Sequence, residues 1–288
     1  MAQPFFDADA AAWRIWEDYC KGYGEMQRSS TGADTPVSYV MPIKQLVTEY
    51  LGLTVYRASL GDGVLGVTTY CDTTLTLPRD GREVEVSIPE GTILLDKSLY
   101  TPVSHTRYRF TLAHEAGHQL ICLSHTTEAE MHFRTVSTPR TPSDLHNASS
   151  WCEVDANALA SALLMPEWLV RRLFSELFDT QRLTVYGAEL MSPEDMRKFH
   201  ILHRSFDVSS KAMLIRLQGL GMLQLRPIDE YTKMYPPRPR PYDMFEIPVP
   251  PYYISRLEIE QGREYFINAD GIVMAYGVEA PLEPDGYY

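Results

Sequence analysis

Residues 108–123 read YRFTLAHEAGHQLICL, and this stretch restricts the fold more than any other. Two histidines, His114 and His118, lie four apart with Glu115 between them on an otherwise apolar segment. The pattern around them predicts a helix from about His105 to Leu123. On a helix, positions i and i+4 share one face, so the two imidazoles can aim ring nitrogens at one point. A zinc ion asks this of two of its ligands. Glu115 then reaches the open coordination position rather than the ion, where it can take a proton from an activated water. Gly117 keeps the helix thin where substrate or another helix approaches. Ordinary core histidines, or a chance pattern, would give the same five letters; a third ligand decides.

The extended metzincin pattern wants glycine three and histidine six residues after the second histidine. Ile121 and Ser124 stand there, and His125 comes one late. His132 and His146 fall in a polar, Ser/Thr-rich stretch where histidines are usually just solvated. Glu153 remains. It opens the run EVDANALASALLMP, a helix with Ser149 or Ser150 as its cap and Pro166 as its stop. The helix dipole alone also favours a carboxylate in a first turn, so that reading stays open. Asp155 points to a different face and is the weaker ligand. Asn157, four after Glu153, shares its face, and its amide can accept the N–H of a ligating histidine. Asparagine is otherwise poorly suited to a helix interior.

Composition limits the alternatives. The 288 residues are 44% hydrophobic and 22% charged, ordinary for one large globular domain or two small ones. A net charge of −12 suits nucleic acid poorly, because its backbone needs basic neutralisation. No apolar run reaches the length of a membrane span. The start, MAQPFFDADA, lacks a basic region followed by an apolar core, so a cytoplasmic location is the expectation. Cys20, Cys71, Cys122 and Cys152 are scattered and form no C-x-x-C pair. Buried thiols are expected, not a disulfide framework or a zinc ribbon.

Along the chain, DADAAAWRIWEDYCKGYG reads as an amphipathic helix capped by Asp7 or Asp9. MPIKQLVTEYLG is a helix ending at Gly52. LTVYRASL, VLGVTTYC, REVEVSIP and GTILLD are strand candidates for a small antiparallel sheet. PEWLVRRLFSELF is a further helix, and residues 192 to about 230 read as short helices. Residues 235–253 are proline-rich, and EYFINADGIVMAYG reads as a hairpin turning at Ala269, Asp270 and Gly271. The fold class is therefore α+β. Its segments are an N-terminal helix (1–35), a central domain (36–180), a helix-turn-helix-like region (181–230) and a proline-rich tail (231–288). Either the polar loop over 126–150 or the tail is expected to control access to the cleft.

FTLAHEAGHQLI followed by EVDANALASALLMP resembles the ImmA/IrrE family of zinc metallopeptidases. GTILLDKSL before the first block and FDVSSKAMLIRLQGLGML after the second resemble it too, so the likeness spans about residues 40–225. Leu159 departs from it, standing where an aromatic is usual. The segment between His118 and Glu153 is longer than typical, and the tail is outside the pattern. The resemblance implies a zincin-like, gluzincin-type endopeptidase core. It places the zinc ligands on His114, His118 and Glu153 and the catalytic glutamate on Glu115. It also implies, as substrate and partner, a helix-turn-helix repressor of a mobile element or stress response. The alternative is a regulatory module that holds zinc and sequesters a transcription factor without cutting it. Direct DNA binding through Lys198, His200, His203, Arg204, Lys211 and Arg216 is not expected, since solvated helix faces account for them.

Overall fold

The computed structural model describes residues 6–31, 40–61, 63–79, 81–124, 141–143, 152–187, 189–235, 266–267, 273–275 and 278–280. Most of the polar loop and of the proline-rich tail, with Ser149, Ser150, His125, His132 and His146, lies outside the described residues. The chain divides into two compact units, Met1–Arg172 with His203–Met213, and Leu173–Leu202 with Leu214–Tyr288.

In the first unit, helix α1 (Ala8–Thr31) begins beside Asp7, whose Oδ1 accepts a hydrogen bond from the Ala10 amide at 2.9 Å. That satisfies one of the amides a helix start leaves without a partner. Ala12, Trp16 and Tyr19 recur at helical spacing and are buried. A short helix α2 (Ile43–Gln45) widens into a π turn at Leu46–Tyr50 and stops before Gly52, which takes φ +68°.

Strands β1 (Thr54–Ala58), β2 (Gly66–Thr68), β3 (Thr73–Arg79), β4 (Arg82–Ile88) and β5 (Thr92–Asp96) follow. The sheet beneath the site has the order β1–β5–β2. β1 runs parallel to β5, with Thr54 opposite Thr92, whereas β2 runs antiparallel to it. The sheet is thus mixed, not wholly antiparallel as expected. The long excursion through β2, β3 and β4 is the kind of connection a parallel pair needs. As the central strand, β5 buries Thr92, Ile93, Leu94 and Leu95, and so reads as an unbroken apolar run. Strand β3 is not among the strand candidates of the sequence, and it holds Pro78, a residue that argues against a strand interior. Among the described residues it pairs only with β4, at an edge that tolerates proline.

Helix α3 (His105–Ser124) carries the H-E-x-x-H stretch and is buried without a break from Thr111 to Gln119. Helix α4 (Glu153–Leu164) packs against it, and α5 (Glu167–Leu177) follows past Pro166. A Cβ on Gly117 would stand 3.2 Å from the carbonyl oxygen of Ala156. The glycine therefore admits a neighbouring helix. At the start of α3, buried Arg109 donates to the carbonyls of Met41 and Asp207, each at 3.1 Å, and its Nε lies 3.3 Å from the Asp207 carboxylate. α1 is tied to α4 by the Trp16 indole, which donates to the Leu163 carbonyl at 2.9 Å.

In the second unit, β6 (Leu183–Tyr186) and β7 (Leu223–Arg226) form a parallel pair. These strands correct the wholly helical reading of residues 181–230: four residues are too few for alternation to stand out beside helices. In chain order the helices here are α6 (Pro193–Ser205) and α7 (Ser210–Gly219), each with residues in both units, and α8 (Ile228–Met234) in the second. Lys198 in this unit pairs with Glu194 at 2.8 Å. The expected terminal hairpin pairs β8 (Phe266–Ile267) with β9 (Val273–Ala275), and β10 (Val278–Ala280) adds a third antiparallel strand. Its turn residues lie outside the described residues. No helix among the described residues is long and apolar enough to cross a membrane.

Trp16→Phe keeps the apolar contact but leaves the buried Leu163 carbonyl without its donor. Chemical denaturation should show a loss of about 1–3 kcal/mol, with metal content unchanged.

Candidate metal centre

Helical spacing brings His114 and His118 together on α3, their rings edge to face with centroids 4.5 Å apart. Their Nε2 atoms are 3.0 Å from one another. From α4, Glu153 presents one carboxylate oxygen to each: Oε2 lies 3.3 Å from His114 Nε2, and Oε1 lies 3.2 Å from His118 Nε2. Among the described residues, His114, His118 and Glu153 form a group whose donor atoms all lie within 4.8 Å of one another, close enough to hold a metal ion. The weaker candidate, Asp155, is not part of this group.

The donors do not pair off among themselves. Glu153 Oε1 and His114 Nδ1 are buried without a hydrogen bond. Two imidazole nitrogens at 3.0 Å also repel unless a proton or a cation lies between their lone pairs. Atoms that converge on one point without bonding each other well are suited to a shared cation. Two imidazoles and a carboxylate make a donor set that a divalent ion such as zinc accepts. The residues fit the ion.

The electrostatics agree with the geometry. Burial would raise the Glu153 pKa, but the approach of its carboxylate to the His114 and His118 imidazoles, and their charge, hold it well below the usual carboxylate range. Burial would lower His114, yet Glu153, Glu115 and the nearby Asn157 amide leave it raised. Asn157 is exposed, and its side chain interacts with His114, while His114 Nδ1 itself has no well-formed hydrogen bond. Glu115 is 4% exposed. Burial pushes its pKa up to about 7; the His114 charge pulls it down, and Glu153 adds to the rise. A carboxyl poised there can hold or release a proton near neutrality.

Two further residues shape the Glu115 environment and were not singled out from the sequence. Gly66 on β2 lies against the carboxylate: a Cβ there would come within 2.6 Å of Glu115 Oε1 and 2.8 Å of Thr111 Cγ2. A glycine inside a strand often marks such a close approach, and that was the available signal. Gln119 fixes α3 to the same strand, donating to Thr68 Oγ1 at 2.6 Å and to the Thr69 carbonyl at 2.8 Å. No sequence signal distinguished that glutamine from a surface residue. Cysteine reading also needs revision, since Cys20 and Cys71 are exposed and only Cys152, among the described thiols, is buried.

A buried histidine pair facing a carboxylate from a second helix, with a further glutamate beside the first histidine, is a donor arrangement that could hold a metal ion next to a protonatable carboxyl. Residues 92–218 match the model of peptidase family M78, described as the IrrE N-terminal-like domain, so this stretch is of the kind its motif blocks resemble. No curated protein matches the chain.

Removing each acidic candidate separates their roles. Glu153→Ala should weaken zinc binding by more than the roughly 10–100-fold that a lost supporting contact costs, whereas Asp155→Ala should keep it. Competition with a chromophoric chelator measures both, and the reverse order would assign the third ligand to Asp155.

Proposed function

We propose that the chain is a zinc-dependent endopeptidase. The observation that carries the reading is Glu115, buried beside a three-donor cluster that could hold a metal ion. His114, His118 and Glu153 hold the ion. Bound there, the ion supplies Lewis acidity, polarising a carbonyl and making water acidic enough to attack near neutral pH. Glu115 takes the proton from the attacking water and hands it to the departing amine, so one carboxylate acts first as base and then as acid. The wall of Gly66 and Thr111 limits how far that carboxylate can swing. The match to a peptidase family model supports peptide bonds as the substrate class.

The substrate we propose is a helix-turn-helix transcriptional repressor in the cytoplasm, cut to relieve repression. The support for this finer reading is the resemblance of the two motif blocks to the ImmA/IrrE family. Incubating the zinc-loaded protein with a repressor encoded beside its gene, and with an unstructured peptide, tests it by mass spectrometry of the products. Cleavage of the peptide alone would keep the peptidase and reject the repressor. Binding of the repressor with neither substrate cut would favour a sequestering module.

Glu115→Gln should retain fold and zinc while peptide cleavage falls by about 10²–10⁴-fold. Undiminished cleavage in this variant would remove Glu115 from the mechanism. Gly66→Ala forces Glu115 aside, so kcat should fall on the order of 10²-fold, with zinc content held at the wild-type level. A variant that cleaves normally would show that the carboxylate can retreat without cost.

A further inference from the structure

The residue before Glu153 is in an unusual situation. Cys152 occupies the N-cap of α4, where Ser, Thr, Asp or Asn would ordinarily bond an unpaired amide. Its side chain makes no cap bond. The residue is 1% exposed, and its sulfur lies 3.0 Å from Nδ1 of His118. The other nitrogen of that ring, Nε2, faces His114 Nε2 at 3.0 Å and Glu153 Oε1 at 3.2 Å. Both edges of the His118 imidazole are therefore engaged, one by the cluster and one by the thiol. His114, by contrast, has no hydrogen bond at Nδ1.

We propose that Cys152 is the positioning residue for His118. Its sulfur accepts the Nδ1–H, which fixes the tautomer that leaves Nε2 bare toward the metal site and sets the plane of the ring. A ligating histidine generally needs such an acceptor behind it, and a carboxylate or carbonyl usually serves. Here a thiol does so from the helix that also supplies the carboxylate ligand. Cys152 and Glu153 are adjacent, so one turn of backbone places both the third donor and the support of the second. The sulfur is not itself a donor to the ion. It approaches the ring edge opposite Nε2, and it does not join the group of converging donor atoms.

The inference rests on the metal-centre reading, and the experiment separates the two. Zinc affinity of the wild-type full chain is measured by chelator competition beside Cys152→Ser, which keeps an acceptor, and Cys152→Ala, which removes it. We expect the serine variant within about threefold of wild type and the alanine variant weaker by about 10–100-fold. The cobalt-substituted proteins should show the same ligand-field bands in wild type and Cys152→Ser, and altered bands in Cys152→Ala. Equal affinities and spectra in all three, or serine failing as badly as alanine, would overturn the role. So would a sulfur-to-cobalt charge-transfer band in the wild type that vanishes in Cys152→Ser, because the thiol would then be a ligand. If Cys152→Ala does not fold, nitrogen-15 spectra of labelled histidine in the zinc-loaded wild type decide. Protonated Nδ1 on His118 is expected, and unprotonated Nδ1 refutes the proposal. A wild-type chain that binds no zinc or cobalt would instead sink the metal-centre reading beneath it.

Discussion

Burying polar side chains in the middle of a helix is costly unless each finds a partner, and α3 buries a row of them. Thr111, His114, Glu115, His118 and Gln119 are all buried along it, with Arg109 below. Much of the surrounding architecture supplies what they need. β2 and the residue after it offer the Thr68 hydroxyl and the Thr69 carbonyl to Gln119. The turn at Asp207 and the carbonyl of Met41 take the Arg109 guanidinium. α4 brings Glu153 to the two histidines. An apolar helix in this place would need only shape from its neighbours. This one needs specific atoms at specific heights, which fixes the register of strand and helix around it.

The same arrangement sets unlike environments for two carboxylates that both act on the His114 imidazole. Glu153 faces both histidines and is held strongly ionised, while Glu115 is pressed against Gly66 with its pKa raised to about 7. Environments that push two titratable groups apart in this way divide labour between a group that stays charged and one that exchanges protons. The division follows from which helix each residue rides on. The His114–Glu115 neighbours must point to different sides of α3, and Glu153 arrives from outside it.

The parts of the site that share one helix were legible in the sequence, because helical spacing alone converts His114, Glu115 and His118 into a geometry. Glu153 was reachable by elimination and by resemblance, since nothing local reports that α4 will lie against α3. Gln119 and Gly66 were not picked out, and Cys152 was read as a buried thiol. Their roles depend on distances across the fold, and a glutamine, a glycine or a thiol in one sequence has many ordinary uses. At the level of the fold, long periodic helices were readable, with α3 found almost to the residue. The direction of β1 against β5, and the brief β6 and β7, were not. Strand direction is a property of the connection, and four-residue strands carry too little pattern to compete with flanking helices.

Gly117 has a wider consequence. Across from it, the carbonyl of Ala156 would sit 3.2 Å from any added Cβ, so α3 and α4 meet main chain to main chain where the cluster is built. Main-chain atoms are the same whatever residues flank them. Substituting larger buried side chains elsewhere on α4, such as Leu159 or Leu163, can weaken the fold without moving the helices apart. The spacing of the donors is thereby insulated from the stability of the core: the molecule can drift in how firmly it folds while its gauge, set by the width of two backbones, stays constant.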